Sequence, residues 1–284
     1  MSIEPMAMDL NLLRQKDDFP LYVMKKLEKM PPDYRGKHLE IVHSNAAGAN
    51  HLEAGVVVLL DYKNSEFCFQ LIKRSDAVAQ SGDISCPGGM LEHSTDEMLS
   101  HILLKTGIIR AVDGRMLNDL VHNDEQTASL VRLFLMNALR ESWEEIGLSP
   151  LNVAYLGALP CYSLTFFSRT IFPVVCLVKE PCHYQLNAEV EKILEIPLRY
   201  FFQDSSYAML EVESGSGDSD SRHNMKLPCL VIPDGSGHED ILWGATFFII
   251  TNFLKLIAGD SLPAPSSSRT VKKVLSPHYA SGTR

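Results

Sequence analysis

The sequence predicts an α/β fold. Apolar, β-branched runs typical of strands lie on both sides of an amphipathic, acidic helix at residues 138–148. A second apolar stretch with helical character, residues 239–257, follows the last of these runs. With 284 residues and 45% hydrophobic content, the chain can bury a full core as one large domain or as one domain with appendages.

Composition argues against two classes of partner. The formal net charge of -9 disfavours a nucleic acid, whose phosphates select a basic surface. The apolar stretch near residues 241–258 contains Asn252 and Lys255, so we expect a core helix and no membrane span. The six cysteines show no Cys-x-x-Cys pairing, and the N-terminus lacks the pattern of a secretory signal. We therefore expect reduced thiols and a cytoplasmic location.

Residues 1–52 are predicted to form an N-terminal helical extension and a linker. Apolar residues recur at helical spacing between Asp9 and Met30, with an interruption at Pro20, and Pro31-Pro32 ends the pattern. This pattern indicates two short helices. The stretch Tyr34–Leu52 is interpreted as the linker to the main domain, residues 53–259.

Two strands are predicted before the acidic helix, at Ala54–Leu60 and Phe67–Ile72. Arg74 follows the second strand, and a polar loop leads through Gly82 to the turn Cys86-Pro87-Gly88-Gly89. An arginine there could stabilise a phosphate, or could simply be solvated. Without Cβ atoms, Gly88 and Gly89 allow the backbone to approach an anion or to offer a carbonyl to a metal ion.

The acidic helix carries the chemistry. Glu141, Glu144 and Glu145 stand at i, i+3 and i+4, which places three carboxylates on one helical face. Like charges repel, and a hard cation such as Mg2+ or Mn2+ would neutralise them. The alternative is a solvated acidic face paired with Arg140, one turn before Glu144. Gly147 is expected to end the helix in a left-handed cap.

The other helical face is expected to be apolar. Leu139, Trp143 and Ile146 recur at i, i+4 and i+7 and are predicted to lie against the core. The helix itself is predicted over Thr127–Gly147, with Thr127 as its N-terminal cap.

These motifs together resemble those of the Nudix hydrolases. The family's box runs Gly, five residues, Glu, seven residues, then Arg-Glu-aliphatic-x-Glu-Glu-x-Gly-aliphatic; here Gly89 and the run Arg140–Leu148 match its two ends. The resemblance implies an α/β/α sandwich with a mixed sheet between helices. It also implies a diphosphate-cleaving enzyme that holds Mg2+ on the box helix.

The match departs from the family in three places. The first glutamate of the box falls on Thr95, with Asp96 and Glu97 as adjacent replacements, and the usual aliphatic after Arg-Glu is Ser142. Forty-four residues separate Thr95 from Arg140, so an insertion of about residues 96–127 interrupts the box. It is predicted to hold a helix at Met98–Leu103, turns at Gly107 and Asp113-Gly114, and a second helix at Met116–Val121. The insertion could shape substrate entry, form a homodimer interface, or do neither.

Further strands are predicted after the helix, in the order Val153–Leu159, Thr170–Val178, a short strand within Glu189–Leu198, Tyr207–Val212 and Leu227–Ile232. The closing helix is predicted over Glu239–Ile257. Residues 260–284, rich in Pro and Ser, are expected to be a disordered tail.

Four stretches outside the box are similar to the coenzyme A diphosphatase branch of the family. They are Arg74-Ser75 with Gly82 and the Gly-Gly turn, Pro173-Val174-Val175, Glu189–Leu198, and Trp243–Thr246. This similarity implies coenzyme A or acyl-CoA as the substrate, with 3',5'-ADP and 4'-phosphopantetheine fragments as products. The branch's second upstream arginine is absent, and its phenylalanine before Pro87 is Cys86.

The resemblance assigns roles to single residues. Arg140, Glu141 and Glu145 are the catalytic residues, and Glu141, Glu144 and Glu145 are the metal ligands. The substrate, a small diphosphate, is expected at Arg74, Gly88 and Gly89. The general base is either a helix glutamate or a carboxylate from a later loop. The alternatives in function are a catalytically impaired Nudix-fold protein that binds nucleotides or regulates, and a housecleaning hydrolase of nucleoside triphosphates or sugar nucleotides.

Overall fold

The structure is a computed structural model that describes residues 9–117, 124–164, 167–214, 225–235, 237–263, 269–275 and 279. Its contacts divide the chain into two compact units. The first unit comprises Leu10–Gln70 and Cys86–Asn187, and the second comprises Met1–Asp9, Leu71–Ser85 and Ala188–Arg284. Each unit is described separately below.

Five α-helices lie in the described ranges, and they are α1 Asp18–Leu27, α2 Tyr34–Ala46, α3 His93–Thr106, α4 Glu125–Ile146 and α5 Gly244–Ala258. The strands of the same ranges are β1 Leu52–Lys63, β2 Glu66–Arg74, β3 Ile84–Ser85, β4 Gly88–Met90, β5 Val153–Ala158, β6 Tyr162–Leu164, β7 Arg169–Val178, β8 Val190–Pro197, β9 Tyr207–Ser214, β10 Met225–Pro233, β11 Glu239–Leu242 and β12 Thr270–Leu275. Short 3-10 helices occur at Leu10–Arg14, Pro150–Asn152, Leu198–Phe202, Asp204–Ser206 and Gly259–Ser261.

The sheet of the first unit is mixed. Strand β1 runs parallel to β7, with Val57 opposite Val174, and antiparallel to β2 and β4, with Gly55 opposite Gly89. Strands β5 and β6 pair antiparallel with β7. The predicted α/β class with a mixed sheet is therefore confirmed.

Aromatic packing fixes α4 on this sheet. The ring of Phe134 in α4 stacks on Phe172 in β7, with centroids 3.7 Å apart, and the ring of Tyr34 in α2 meets both edge-on. Tyr34 donates its hydroxyl to the carbonyl oxygen of Pro173 at 2.6 Å, so its one polar atom is satisfied inside the core. These buried rings hold helix α4, which carries the acidic residues, at a fixed place on the sheet.

Asn137 joins α4 to two strands by its side-chain amide. Its Oδ1 accepts from the backbone N–H of Gly55 at 2.6 Å, and its Nδ2 donates to the carbonyl oxygen of Met90 at 2.9 Å. A Cβ at position 55 would stand 2.8 Å from the carbonyl oxygen of Phe134, so only glycine allows this close approach. Helix α4 is consequently held at a short distance from β1 and β4.

The second unit contains a separate four-stranded sheet in the order β11-β10-β9-β12. Strand β10 pairs antiparallel with β9 and β11, and β12 pairs parallel with β9. Its core includes Ala208, Leu210 and Val231, against which Val271 of β12 packs. Within this unit Ile72 of β2 also pairs with Ser85 of β3.

Three predicted segments differ from the structure. Most of the predicted linker Tyr34–Leu52 is helix α2, which buries only Tyr34 and Ile41 and so lacks a clear apolar stripe. The predicted closing helix Glu239–Ile257 divides into strand β11 and helix α5, separated by Trp243. Part of the predicted disordered tail is strand β12. Its residues pair with β9, and its side chains Val271 and Leu275 pack against the core of that sheet. The tail's last residues lie mostly outside the described ranges.

The helix predicted at Met98–Leu103 is confirmed, because these residues lie within α3, which ends at Thr106 and is capped by Gly107 with a φ of 56°. That residues 96–127 are an insertion remains a prediction. A turn forms at Gly114, as expected. The predicted second helix, Met116–Val121, falls largely outside the described residues. The domain boundaries proposed from the sequence remain a prediction. Within the described ranges, no helix is both long enough and apolar enough to cross a membrane.

Candidate active site

A polar residue caps the N-terminus of helix α4, and a glycine caps its C-terminus. The side chain of Asp124 accepts from the backbone N–H of Gln126 at 3.1 Å, so Asp124 is the cap and the prediction of Thr127 is wrong. The Thr127 hydroxyl instead donates to Asp124 at 2.5 Å. Gly147 ends the helix with a φ of 68°, which confirms the predicted left-handed cap.

The inward face of α4 differs from the prediction at one position. Leu139 and Ile146 are fully buried, but Trp143 is 54% exposed, so its expected place in the core is wrong. Ser142 faces inward instead, and its hydroxyl donates to the carbonyl oxygen of Ala138 at 2.6 Å. The inward face therefore has the spacing i, i+3 and i+7, formed by Leu139, Ser142 and Ile146, in place of the predicted i, i+4 and i+7. The small serine can be buried because its hydroxyl is hydrogen-bonded within the helix.

The Gly-Gly segment lies against two carboxylates of α4. It forms the short strand β4 and not the expected free turn. The backbone N–H of Gly88 donates to Glu145 Oε2 at 2.9 Å, and Glu145 is 4% exposed. A Cβ on Gly89 would stand 2.5 Å from the carboxylate carbon of Glu141. The Glu141 carboxylate therefore occupies the space that a side chain at position 89 would take, and it would have to move if that residue were not glycine.

Gly88 also has a backbone reason to be glycine. Its φ of 138° is rare for residues with a side chain, and a Cβ there would stand 2.6 Å from the Cα of Val56. Gly88 and Gly89 thus bring the backbone of β4 next to Glu141 and Glu145, as the close approach expected from the sequence requires.

Arg140 links the carboxylates of this region. Its guanidinium bonds to Asp96 at 2.8 Å, Glu141 at 2.9 Å and Glu144 at 3.3 Å, and only 9% of its side chain is exposed. The hydrogen bond to Asp96 is the main cause that raises the pKa of Arg140. Arg140 therefore stays charged and fixes the positions of the acidic side chains around it.

Asp96 occupies the place opposite Arg140. Of the three candidates Thr95, Asp96 and Glu97, Asp96 alone has its carboxylate on the guanidinium, and it is fully buried. Its carboxylate also accepts from the backbone N–H of Glu92 at 2.8 Å and from the side chain of Asn137 at 3.1 Å. The sequence offered Asp96 and Glu97 together as replacements for the box glutamate, and it contained no signal that separated the two.

The three glutamates differ in environment. Burial raises the pKa of Glu141 despite its contact with Arg140. Glu144 is on the outer side of the helix, with 54% of its side chain exposed. Glu145 is almost fully buried against Gly88. The structure thus brings Glu141 and Glu145 to the Gly-Gly strand, whereas Glu144 is joined to Glu141 through Arg140.

The donor chemistry of this cluster fits a hard divalent cation. Carboxylate oxygens are the ligands that Mg2+ and Mn2+ take in proteins, and the carboxylates of Glu141 and Glu145 both lie against the Gly88–Gly89 strand. Across the described ranges, no three His, Cys, Asp or Glu side chains are grouped closely enough to form a ligand set. The assignment of Glu141, Glu144 and Glu145 as metal ligands therefore remains a prediction.

Arg74, the predicted phosphate contact, belongs to the second unit. It begins a loop, residues 74–83, and its Nε donates to the carbonyl oxygen of Ala79 at 2.8 Å. Ser75 donates its backbone N–H to Glu189 at 2.8 Å, and Trp243 donates its indole N–H to Asp83 at 3.1 Å. Two of the other stretches that suggested the coenzyme A branch, Glu189–Leu198 and Trp243–Thr246, thus each contact this loop.

Comparison with known proteins supports a relationship to the Nudix hydrolases. The chain is 32% identical over 121 residues to the curated protein "Uncharacterized Nudix hydrolase NudL" of Pectobacterium atrosepticum. The match covers 42% of this chain and 56% of the relative, so the chain spans little more than half the length of that relative. No family model matches the chain.

Two solved structures give weaker similarity. A NUDIX hydrolase from Alicyclobacillus acidocaldarius is 15% identical, with a TM-score of 0.38 and coverage of 55% of this chain and 82% of the other. The NUDIX domain of Shewanella oneidensis NrtR, solved with ADP ribose, is 16% identical, with a TM-score of 0.34 and coverage of 54% and 77%. TM-scores this low do not establish a shared fold. The chain is thus similar to a Nudix hydrolase over 121 residues.

Proposed function

We propose that this protein is a divalent-cation-dependent hydrolase that cleaves the diphosphate linkage of nucleoside diphosphate derivatives. The observation that carries the proposal is the convergence of Glu141 and Glu145 on the Gly88–Gly89 strand, beside an arginine held by buried Asp96. A purely solvated acidic face would not bury Glu145 or place the Glu141 carboxylate against Gly89. The similarity to NudL supports the same reaction class.

Glu141, Glu144 and Glu145 would hold Mg2+ or Mn2+, with help from the Gly89 carbonyl. Such an ion, when bound, neutralises diphosphate charge and lowers the pKa of water. The protein's own part is positional. Arg140 fixes the directions of the Glu141 and Glu144 carboxylates through its bonds to both. The short distance between β4 and α4 keeps the acidic side chains next to the backbone of Gly88 and Gly89.

The overall reaction adds water across a phosphorus–oxygen–phosphorus bridge. The water oxygen forms a bond to one phosphorus, the bridging bond to that phosphorus breaks, and the bridging oxygen leaves with the other phosphate. A carboxylate takes the proton of the attacking water, and the candidates are a glutamate of α4 or an acidic residue of a later loop. We propose that Arg74 stabilises phosphate charge.

Coenzyme A or acyl-CoA is the proposed substrate. The support comes from the sequence stretches at Arg74-Ser75, Glu189–Leu198 and Trp243–Thr246, of which the last two each contact the loop that begins at Arg74. These contacts are largely structural, so they support common ancestry with the coenzyme A branch more directly than they support coenzyme A as the substrate. Hydrolysis of coenzyme A would give a 3',5'-ADP and a 4'-phosphopantetheine fragment.

A catalytically impaired nucleotide-binding protein is the second candidate. The interrupted box and the lack of a ready three-ligand group in the described ranges favour it. Incubation with Mg2+ and a panel of coenzyme A, acyl-CoA, ADP-ribose and nucleoside triphosphates separates the candidates. Released phosphate products support hydrolysis and rank the substrates, whereas binding of the panel without products supports the second candidate.

Glu145→Gln is the direct test of the proposed site. Glutamine keeps an oxygen that can accept from Gly88 but removes the charge, so the fold is expected to persist while Mg2+-dependent turnover falls by about 100-fold or more. Glu97→Gln is the matched control, because Glu97 is exposed on α3. Unchanged turnover in Glu145→Gln would reject this site.

Location and assembly are also proposals. All six cysteines are free, and four of them are buried, which supports a reducing compartment such as the cytoplasm.

The homodimer suggested by the insertion finds support in the exposed apolar residues Met98 and Ile102, which stand one turn apart on α3. An antiparallel second copy of α3 would bring the exposed Glu97 of one copy towards Lys105 of the other.

A further inference from the structure

We propose that the C-terminal segment positions the Arg74 loop, residues 74–83, through Lys273, Tyr279 and their shared partner Asp83. The three are then positioning residues for phosphate binding by Arg74. The inference rests on the proposed function in one respect, namely that Arg74 contacts a phosphate of the substrate. Every contact that supports the positioning lies within the second unit.

The loop closes on itself at its two ends. The backbone N–H of Arg74 donates to Asp83, and the N–H of Gly82 donates to Arg74, each at 2.9 Å. Arg74 Nε also donates to the carbonyl oxygen of Ala79 at 2.8 Å. A bond at Nε sets the plane of the guanidinium, so the direction of its terminal nitrogens depends on where the loop places Ala79.

The backbone between Ala79 and Gly82 is in a disfavoured conformation. Gln80 has a φ of 56°, which residues with a side chain rarely adopt, and such conformations persist only where the surroundings hold them. One such contact comes from the C-terminal segment, because the N–H of Gln80 donates to the carbonyl oxygen of Tyr279 at 3.3 Å. Loss of Tyr279 from this place would allow the loop to relax.

Asp83 receives three donors, two of them from the C-terminal segment. Its Oδ1 accepts from the Trp243 indole at 3.1 Å and from the Lys273 ammonium, and its Oδ2 accepts from the Tyr279 hydroxyl. The Lys273 ammonium also lies 5.6 Å from the centroid of the Trp243 ring, on which Tyr279 stacks. Burial raises the pKa of Tyr279, which keeps its hydroxyl protonated as a donor.

This arrangement is specific to one side of strand β12. Lys273 is 20% exposed and bonds to Asp83, whereas its neighbour Lys272 is 67% exposed and pairs with Glu213 at 3.4 Å. Side chains of adjacent strand residues point to opposite faces. Lys272 therefore provides a matched control, with the same charge, strand and type of substitution but no contact to the Arg74 loop.

The test measures KM and kcat of the full-length protein with the fastest-cleaved diphosphate of the panel and Mg2+. The variants are Tyr279→Phe, Lys273→Gln and the control Lys272→Gln. Tyr279→Phe is the conservative change, since it removes one hydroxyl and keeps the stacked ring. We expect KM to rise about tenfold in the first two variants with kcat changed less than about twofold, because lost positioning of a charged contact weakens binding in the ground and transition states alike. Lys272→Gln should match the wild type.

Two further measurements separate positioning from simple stability. Hydrogen exchange at the backbone N–H of Gln80 should become faster in Tyr279→Phe, and the KM effect should disappear in an Arg74→Ala background, because the variants act through Arg74. An unchanged KM despite faster exchange overturns the inference, as does a KM effect that persists without Arg74. A wild type that cleaves no diphosphate refutes the proposed function, whereas an active wild type with insensitive variants refutes the positioning alone.

Discussion

Replacement of Asp96 by asparagine tests whether the ion pair between Asp96 and Arg140 joins the two separated parts of the box. The Asp96 carboxylate is fully buried and receives Arg140 Nε at 2.8 Å, Arg140 Nη2 at 3.2 Å, Asn137 at 3.1 Å and the N–H of Glu92 at 2.8 Å. Asparagine keeps the shape and one carbonyl oxygen but removes the charge that pairs with the guanidinium.

The expected cost follows from these contacts. Removal of one partner of a buried ion pair costs about 3–5 kcal/mol because it leaves an uncompensated charge. Arg140 still contacts Glu141 and Glu144 in the variant, so we expect the lower end, about 3 kcal/mol of the free energy of unfolding. Asparagine still offers one acceptor oxygen to the neighbouring donors, which also limits the loss.

Urea unfolding followed by tryptophan fluorescence measures this cost. The sequence has two tryptophans, Trp143 in the first unit and Trp243 in the second, so a Trp243→Phe background reports on the first unit alone. Thr95→Ala and Glu97→Gln in the same background are the controls. A loss below about 1 kcal/mol in Asp96→Asn, or an equal loss in Glu97→Gln, would contradict the assignment of Asp96 as the partner of Arg140.

Three other changes have defined outcomes. Gly89→Ala would place a Cβ 2.5 Å from the Glu141 carboxylate carbon and force that carboxylate to move, so we expect Mg2+-dependent turnover to fall, and turnover at the wild-type rate would refute the role of this close packing. A hydrogen bond to Glu53 at 2.8 Å raises the pKa of His38, so charged His38 stabilises the fold below about pH 6.5 and this contribution disappears as the pH rises through the raised value. The difference in thermal stability between the wild type and His38→Gln should therefore shrink from about pH 6 to about pH 8, and a constant difference would argue against the pair. Ile102→Glu should yield a monomer by sedimentation if α3 forms a homodimer contact, whereas a wild-type monomer would exclude that contact.

Much of the first unit could be predicted because its strands have strong local patterns. The runs Ala54–Leu60 and Thr170–Val178 are apolar and β-branched over most of their length, and they form the parallel pair β1 and β7. The role of Gly147 as the C-terminal cap of α4 could also be predicted, since a left-handed cap favours a residue without Cβ. Helix α2 and strand β12 were missed because few of their residues are buried, and their places depend on contacts with distant parts of the chain.

In the candidate site, too, features set by local sequence could be predicted, whereas features set by contacts between distant residues could not. Helical spacing correctly places the acidic residues on α4, but it cannot decide between Ser142 and Trp143 as the inward position, because both lie within one turn of Leu139. Nor could the sequence single out Asp96, which lies forty-four positions before Arg140 and meets it only through tertiary packing. Those contacts depend on the packing of α3 against α4.

The contact between Asp96 and Arg140 has a consequence for how the chain tolerates changes in length. Since α3 packs along α4, the connection between Thr106 and Glu125 starts and finishes on two helices that are already anchored to each other. Closing such a connection costs only about 0.6 kcal/mol more for each doubling of its length. Residues could therefore be added at its exposed Asp113-Gly114 turn at small thermodynamic cost, while the Asp96–Arg140 ion pair keeps its geometry. Removal of the buried residues Ile109, Ala111 or Leu117 would instead cost packing.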